Sequence, residues 1–221
     1  MLRQTPLFSS FDDEALESLQ SSMSDTELKR GDVLFREGDS GDRLYVVADG
    51  KIKLGRTAPD GRENLLAVLG PGQMFGELSL FDPGPRSATA TAVTNCWLAS
   101  LGHAELQGWL NDRPDVARGL LFQLASRLRR TNDVVADLVF SDVPGRVAKA
   151  LLDLASRFGR ETDDGLRVHH DLTQEELAQL VGASRETVNK ALADFAPRGW
   201  LRLEPRSVVL VDIERLRRRS R

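Results

Sequence analysis

Residues 172–200 read LTQEELAQLVGASRETVNKALADFAPRGW, and this stretch decides the fold of the C-terminal part of the chain. Thr173 and Glu176 stand three apart, the spacing of a capping box that opens a helix. Leu177, Leu180 and Val181 supply the apolar stripe of that helix, and Gly182 permits a tight turn. Ser184 caps a second helix whose Val188, Ala191, Leu192 and Phe195 recur at helical spacing. Two short helices about a glycine turn make a helix-turn-helix. Arg185, Glu186, Asn189 and Lys190 then share the face turned away from the apolar stripe, with Thr187 beside them. Such a face near a helix N-terminus can enter a major groove, where Arg pairs with guanine and Glu accepts from cytosine. Thr173, Gln174 and Ser184 suit phosphate contacts at helix N-termini.

Downstream, 200–203 and 208–211 predict a hairpin around Glu204-Pro205-Arg206-Ser207, the wing of a winged helix. Arg215 to Arg221 is a basic tail, expected to be frayed and solvated while adding nonspecific phosphate attraction. Upstream, a helix is expected from about Pro144 to Phe158, with Val147, Leu151, Leu154 and Phe158 inward and Gly159 at its end. His169 and His170 are expected to be exposed ahead of the capped helix.

Asp142-Val143-Pro144-Gly145 reads as a hinge and domain boundary. Before it, a long helix is expected from about Arg113 to Ser141, with Asp112 as cap and Pro114 in the first turn. Leu121, Leu124, Leu128, Thr131, Val135 and Leu138 alternate spacings of three and four, a coiled-coil seam that calls for a partner helix. A parallel homodimer is the simplest partner. Thr131 is the polar exception in that seam, and a buried hydroxyl needs a partner of its own.

From Gly31 to about Leu101 the texture is β-rich. The runs 33–35, 44–47, 52–54, 65–69 and 88–93 alternate with turns such as Glu37-Gly38-Asp39, Ala48-Asp49-Gly50, Pro59-Asp60-Gly61 and Gly70-Pro71-Gly72. Many short strands between Gly/Pro turns predict a small barrel or jelly roll. Residues 12–30 read as a short amphipathic helix through Leu16, Leu19 and Met23. The fold class is therefore α+β in three parts: a β-roll over 1–112, a dimerisation helix and hinge over 113–142, and a winged helix-turn-helix over 143–221.

Charge divides along the same line. From Val143 onward there are 15 Lys/Arg against 12 Asp/Glu, a net of +3. The totals of 30 and 33 leave 15 against 21 for residues 1–142, a net of −6. An acidic and a basic half imply different tasks. One cysteine, Cys96, excludes an internal disulfide and a four-thiolate iron–sulfur cluster. With His103, His169 and His170 it offers neither zinc-site spacing nor a good haem site, and it reads as a buried strand residue. No nucleophile–base pair or P-loop points to an enzyme. Without a membrane-length apolar run or a secretory leader in Met1–Phe11, a cytoplasmic location is the default expectation.

SRETVNKAL after LTQEELAQLVG resembles the recognition element of the cAMP receptor protein/FNR family of transcriptional regulators. The resemblance covers nearly the whole chain. RGDVLFREGDSGDRLYVVADGKIKL is similar to the family's first β-roll strands, and DGRENLLAVLGPGQMFGELSLFDPGPRSATATA to the stretch carrying its cyclic-nucleotide phosphate cassette. The likeness is closest to the cAMP receptor proteins of actinobacteria. It implies cAMP as allosteric effector, double-stranded DNA and RNA polymerase as partners, and TGTGA-like half-sites.

The cassette is Phe75-Gly76-Glu77-Leu78-Ser79 with Arg86-Ser87-Ala88. Gly76 lets backbone approach a ligand, Glu77 can accept from a ribose hydroxyl, Arg86 offers a planar fork to a cyclic phosphate, and Ser87 adds a hydroxyl and an N–H. By the resemblance Leu54 and Leu69 would line the pocket near the base, Thr131 and Asn132 would meet the adenine, one from each subunit, and Arg127 would approach the phosphate. Asn132 departs from the Ser of the best-known members, which bears on affinity and on the strength of coupling. Intact Glu77 and Arg86 speak against a plain architectural DNA-binding protein.

Overall fold

The computed structural model describes residues 21–82, 84–112 and 114–220. Contact density divides them into two compact units: residues through 56 with 66–130, and 57–65 with 131–220.

The roll is built from two four-stranded sheets. One has the order β1 (Ser24–Leu28), β8 (Cys96–Gly102), β3 (Arg43–Asp49), β6 (Met74–Phe75). The other runs β2 (Val33–Phe35), β7 (Thr89–Ala92), β4 (Ile52–Thr57), β5 (Glu63–Leu69). Side chains from both meet in one core that includes Tyr45, Val47, Ile52, Leu54, Leu69, Phe75, Ala90, Ala92 and Leu98. Strand alternation explains the pattern in β7, where Ala90 and Ala92 point inward and Thr89 and Thr91 do not. A short helix α1 (Leu78–Phe81) interrupts the strands after β6.

Two expectations change here. The helix over 12–30 gives way at its end to β1, which pairs antiparallel with β8 from Ser24↔Ser100 to Leu28↔Cys96. Its polar alternation suits an edge strand, and cross-strand pairing overrides the local helical spacing, which stops at Met23. Residues 12–20 of that expectation lie outside the described residues. A helix α2 (His103–Asp112), not anticipated, precedes the long helix α3 (Pro114–Phe140). On α3 the side chains of Leu121, Leu128, Val135 and Leu138 are all more than half exposed. Cys96 is a buried strand residue as read, and burial pushes its thiol up.

The C-terminal domain begins with α4 (Val143–Phe158), whose cap is Asp142: its Oδ1 accepts from the Gly145 N–H at 2.9 Å. Val147, Leu151 and Leu154 are buried as expected, with Phe158 half-buried. A hairpin of β9 (Gly159–Thr162) and β10 (Gly165–His169) follows, unforeseen, then α5 (Gln174–Val181) and α6 (Arg185–Phe195). The wing strands β11 (Leu201–Glu204) and β12 (Ser207–Leu210) join that hairpin in a sheet of order β11-β12-β10-β9.

His170 is buried, against expectation, and its Nδ1 accepts the Leu172 N–H at 3.1 Å. The basic tail is also not frayed. It forms α7 (Ile213–Arg219), capped by Asp212, with Leu216 fully buried and Arg219 donating to Asp142 at 2.5 Å. That bond holds the Asp142 carboxyl below its ordinary range.

Candidate ligand pocket and nucleic-acid interface

The roll carries a partly open pocket with about 330 Å³ of empty space, counting the part open to solvent. Phe35, Leu54, Gly76, Leu78, Ser79, Arg86, Ser87, Ala88 and Arg127 line it. Gly76 has φ of +78°, and a Cβ there would sit 2.8 Å from Arg86 Nη1, so only glycine leaves room. Two backbone bonds fix the loop beside Arg86: its N–H donates to Asp39 O at 2.7 Å, and its carbonyl accepts from Gly38 at 2.9 Å.

The Arg86 side chain is buried, at 5% exposure. Its Nη1 donates to Gly76 O at 2.7 Å and Ser79 Oγ at 3.0 Å, while Nε lacks a hydrogen-bond partner among the described residues. No carboxylate among the described residues bonds to it, and burial shifts the guanidinium downward, opposed in part by the Asp42 and Asp39 charges. A cation held by neutral groups inside a pocket suits an incoming anion, because an unpaired buried charge is costly.

Glu77 is more buried still, at 2% exposure, and lies beside the pocket rather than in its lining. Its Oε1 accepts from Arg127 Nη1 at 2.6 Å, and its Oε2 has no hydrogen-bond partner among the described residues. Leu78 and Ser87 are exposed at the pocket mouth. Leu54 lines the pocket as expected, whereas Leu69 belongs to the roll core and is not in the lining. Thr131 and Asn132 are exposed side chains on α3 and belong to the second unit. Sequence reasoning missed Phe35, whose ring lies under the guanidinium. Its only signal was a place in the run 33–35.

In the second unit the capping box is complete: Thr173 Oγ1 accepts from the Glu176 N–H, and Glu176 Oε2 accepts from the Thr173 N–H. Gly182 has φ of +69°, the left-handed turn that ends α5. Ser184 Oγ accepts from the Thr187 N–H at 3.2 Å and opens α6. Val188, Ala191, Leu192 and Phe195 are buried. Ser184, Arg185, Glu186, Thr187 and Lys190 are exposed, Asn189 is half-buried, and Thr173 and Gln174 are exposed at the head of α5. Arg146 braces this motif, donating to Val181 O at 3.1 Å, Gly182 O at 3.3 Å and Ser141 O at 2.9 Å.

A β-roll whose pocket holds a buried arginine, followed by a winged helix-turn-helix, is the architecture of a two-domain, ligand-pocket and DNA-reading regulator. The family model of the cyclic nucleotide-binding domain matches residues 25–113, and that of the Crp-like helix-turn-helix domain matches residues 145–219. The chain is 56% identical, over its whole length and 99% of the relative, to the CRP-like cAMP-activated global transcriptional regulator of Mycobacterium tuberculosis. It is 38% identical to the cyclic AMP receptor protein of Thermus thermophilus, covering 94% of this chain and 93% of that one. Among solved structures, the c-di-GMP responsive global regulator CLP of Xanthomonas campestris matches with a TM-score of 0.78 at 28% identity, over 90% of this chain and 99% of that one. The chain belongs to the CRP/FNR family of transcriptional regulators.

Proposed function

We propose that the protein is a homodimeric, cAMP-responsive regulator in which effector binding orients two helix-turn-helix domains on palindromic DNA with TGTGA-like half-sites. The observation that carries the effector reading is the Arg86 guanidinium: buried, lining a pocket and, among the described residues, hydrogen-bonded to neutral groups only. Arg86, Ser87 and the backbone at Gly76 receive the cyclic phosphate, with Ser79 and Leu78 completing the wall. Glu77, oriented by Arg127 just behind the lining, is the acceptor for the ribose hydroxyl through Oε2, which has no hydrogen-bond partner among the described residues. Leu54 bounds the base from the roll side, with Leu69 in the core behind the lining. By the family resemblance Thr131 and Asn132 are the residues that meet the adenine, one from each subunit.

The exposed leucines and valines of α3 support pairing with a second copy, because a stripe that large is otherwise left in water. The division into a roll over 1–112, a helix and hinge over 113–142 and a DNA-binding domain over 143–221 follows from the same reading. Two recognition faces then meet successive major grooves about 34 Å apart. Arg185, Glu186, Thr187, Asn189 and Lys190 address bases and flanking phosphates, and Thr173, Gln174 and Ser184 address phosphates. RNA polymerase is the partner at promoters. A coupling of about 1–3 kcal/mol changes DNA affinity by roughly 5- to 150-fold.

The test is calorimetric titration with cAMP, cGMP and c-di-GMP, followed by binding to a labelled palindrome with and without cAMP. cAMP is expected to bind and to tighten DNA association. Equal DNA affinity in both conditions removes the gating claim. Arg86→Ala is expected to abolish cAMP binding while the dimer persists in sedimentation. Undiminished binding by that variant sinks the pocket assignment.

A further inference from the structure

Arg86 bonds to no carboxylate among the described residues, and its two side-chain hydrogen bonds both leave from Nη1, so they fix one edge of the guanidinium and leave its face to be supported. Its neighbours supply the answer. The Phe35 ring lies under the guanidinium, with 4.3 Å from Cζ to the ring centroid, and the Tyr45 ring follows at 5.8 Å. Phe35, Tyr45 and Phe75 form a three-ring cluster with centroid separations of 5.4–6.0 Å. Phe75 is fully buried and Tyr45 nearly so, which leaves Phe35 as the ring that lines the pocket.

The negative face of an aromatic ring attracts a cation most strongly where water is excluded. Unlike a carboxylate, it orients the cation without neutralising it. A carboxylate here would compete with the incoming anion; a ring leaves the charge available.

We propose that Phe35 is a positioning residue for Arg86: its ring face, backed by Tyr45 and Phe75, holds the guanidinium flat and charged at the pocket wall, ready for an anionic ligand. For affinity this rests on the reading of Arg86 as the phosphate group's receiver. The orienting role itself does not. Phe35→Leu keeps the apolar volume and removes the ring face, and is expected to weaken cAMP binding about tenfold to thirtyfold. Phe35→Tyr restores the face and is expected to restore affinity.

A purely structural Phe35 would give a similar leucine result, so the deciding experiment replaces Phe35 by mono-, di- and trifluorinated phenylalanine in the full chain. Each fluorine drains the ring face and barely alters its shape. Two quantities are read: Kd for cAMP, and the ¹⁵N signal of the Arg86 Nε–H in the unliganded protein. Stepwise loss of affinity, together with faster guanidinium motion, supports the proposal. Stepwise change in the Arg86 signal in a protein that fails to bind cAMP supports the positioning role and removes only the ligand reading. A flat Arg86 signal across the series overturns the proposal, whatever cAMP does.

Discussion

Gly41 gives the sharpest test of the pocket as a rigid cradle, because its substitution touches the site without altering any group that meets the ligand. It lies outside the left-handed region, so its backbone accepts alanine, and only space decides the outcome. An added Cβ would stand 2.1 Å from Ser79 Oγ, 2.7 Å from Ser79 Cβ and 2.9 Å from Arg86 Cζ. To reach 3.4 Å, where ordinary contact begins, the Ser79 hydroxyl must retreat by 1.3 Å. That retreat breaks its 3.0 Å bond from Arg86, and the guanidinium must shift as well. Overpacking of this kind costs about 1–3 kcal/mol. Loss of a hydrogen bond to a charged group costs about 1.5–3 kcal/mol in addition at the binding step. Gly41→Ala is therefore expected to lower the melting temperature by roughly 5 °C or more and to weaken cAMP binding at least about tenfold. Gly108, exposed on α2 with nothing among the described residues within 4 Å of an added Cβ, is the control. Gly108→Ala should stabilise by up to about 1 kcal/mol and leave Kd unchanged. Differential scanning calorimetry and isothermal titration read both quantities. A Gly41→Ala protein that binds cAMP as tightly as its parent refutes the reasoning, since Ser79 and Arg86 would then be free to move without consequence.

Ser184→Ala removes the cap of α6 and should cost about 1 kcal/mol in chemical denaturation; an unchanged midpoint contradicts the capping role. Lys190→Ala should reduce the slope of log affinity against log salt by about 1, whereas Arg185→Ala should lose about 1–3 kcal/mol and relax base preference. Equal losses on all sequences from both variants would contradict the division. Arg219 holds the folded Asp142 carboxyl below its ordinary 3.8, so the unfolded chain takes up that proton first. The contribution is complete above the ordinary value and is lost as pH falls through the depressed one, so Asp142→Asn should flatten the acid limb of the stability curve. The Cys96 thiol is buried and donates to Lys51 O at 3.1 Å, so a thiol reagent should label native protein on the order of a hundredfold more slowly than urea-unfolded protein. Comparable rates would place the thiol at the surface.

The helix-turn-helix was legible because each of its determinants is local. Thr173 and Glu176 cap within one turn, Gly182 bends alone, and Ser184 restarts the helix three residues before its partner Thr187. What escaped depends on residues far apart in the chain. β8 runs Cys96-Trp97-Leu98-Ala99-Ser100-Leu101-Gly102 and is buried nearly throughout, so it lacks the alternation that marks a half-exposed strand. α7 has only Ile213 and Leu216 as apolar residues beside four arginines, and looks solvated until Arg219 is seen bonded to Asp142, 77 positions earlier. His170 looked like a polar residue before a cap, yet its ring replaces a backbone acceptor for Leu172.

The pocket was legible in its charged members and illegible in what holds them. Arg86 announces itself by type, whereas the face it needs comes from Phe35, 51 positions away across two strands. This asymmetry has a physical origin. A buried cation with an acidic partner would be stable and inert. One that bonds, among the described residues, to a carbonyl, a hydroxyl and ring faces, with Asp42 and Asp39 acting without a direct bond, stays incompletely compensated until an anion arrives, so part of the cost of burying Arg86 on folding is recovered only on binding. Stability and responsiveness thus pull on the same guanidinium, and the neutral groups around it set the balance between them. Gly76 and Gly41 give the plane room, Ser79 and the Gly76 carbonyl hold one edge, and Phe35 supports its face.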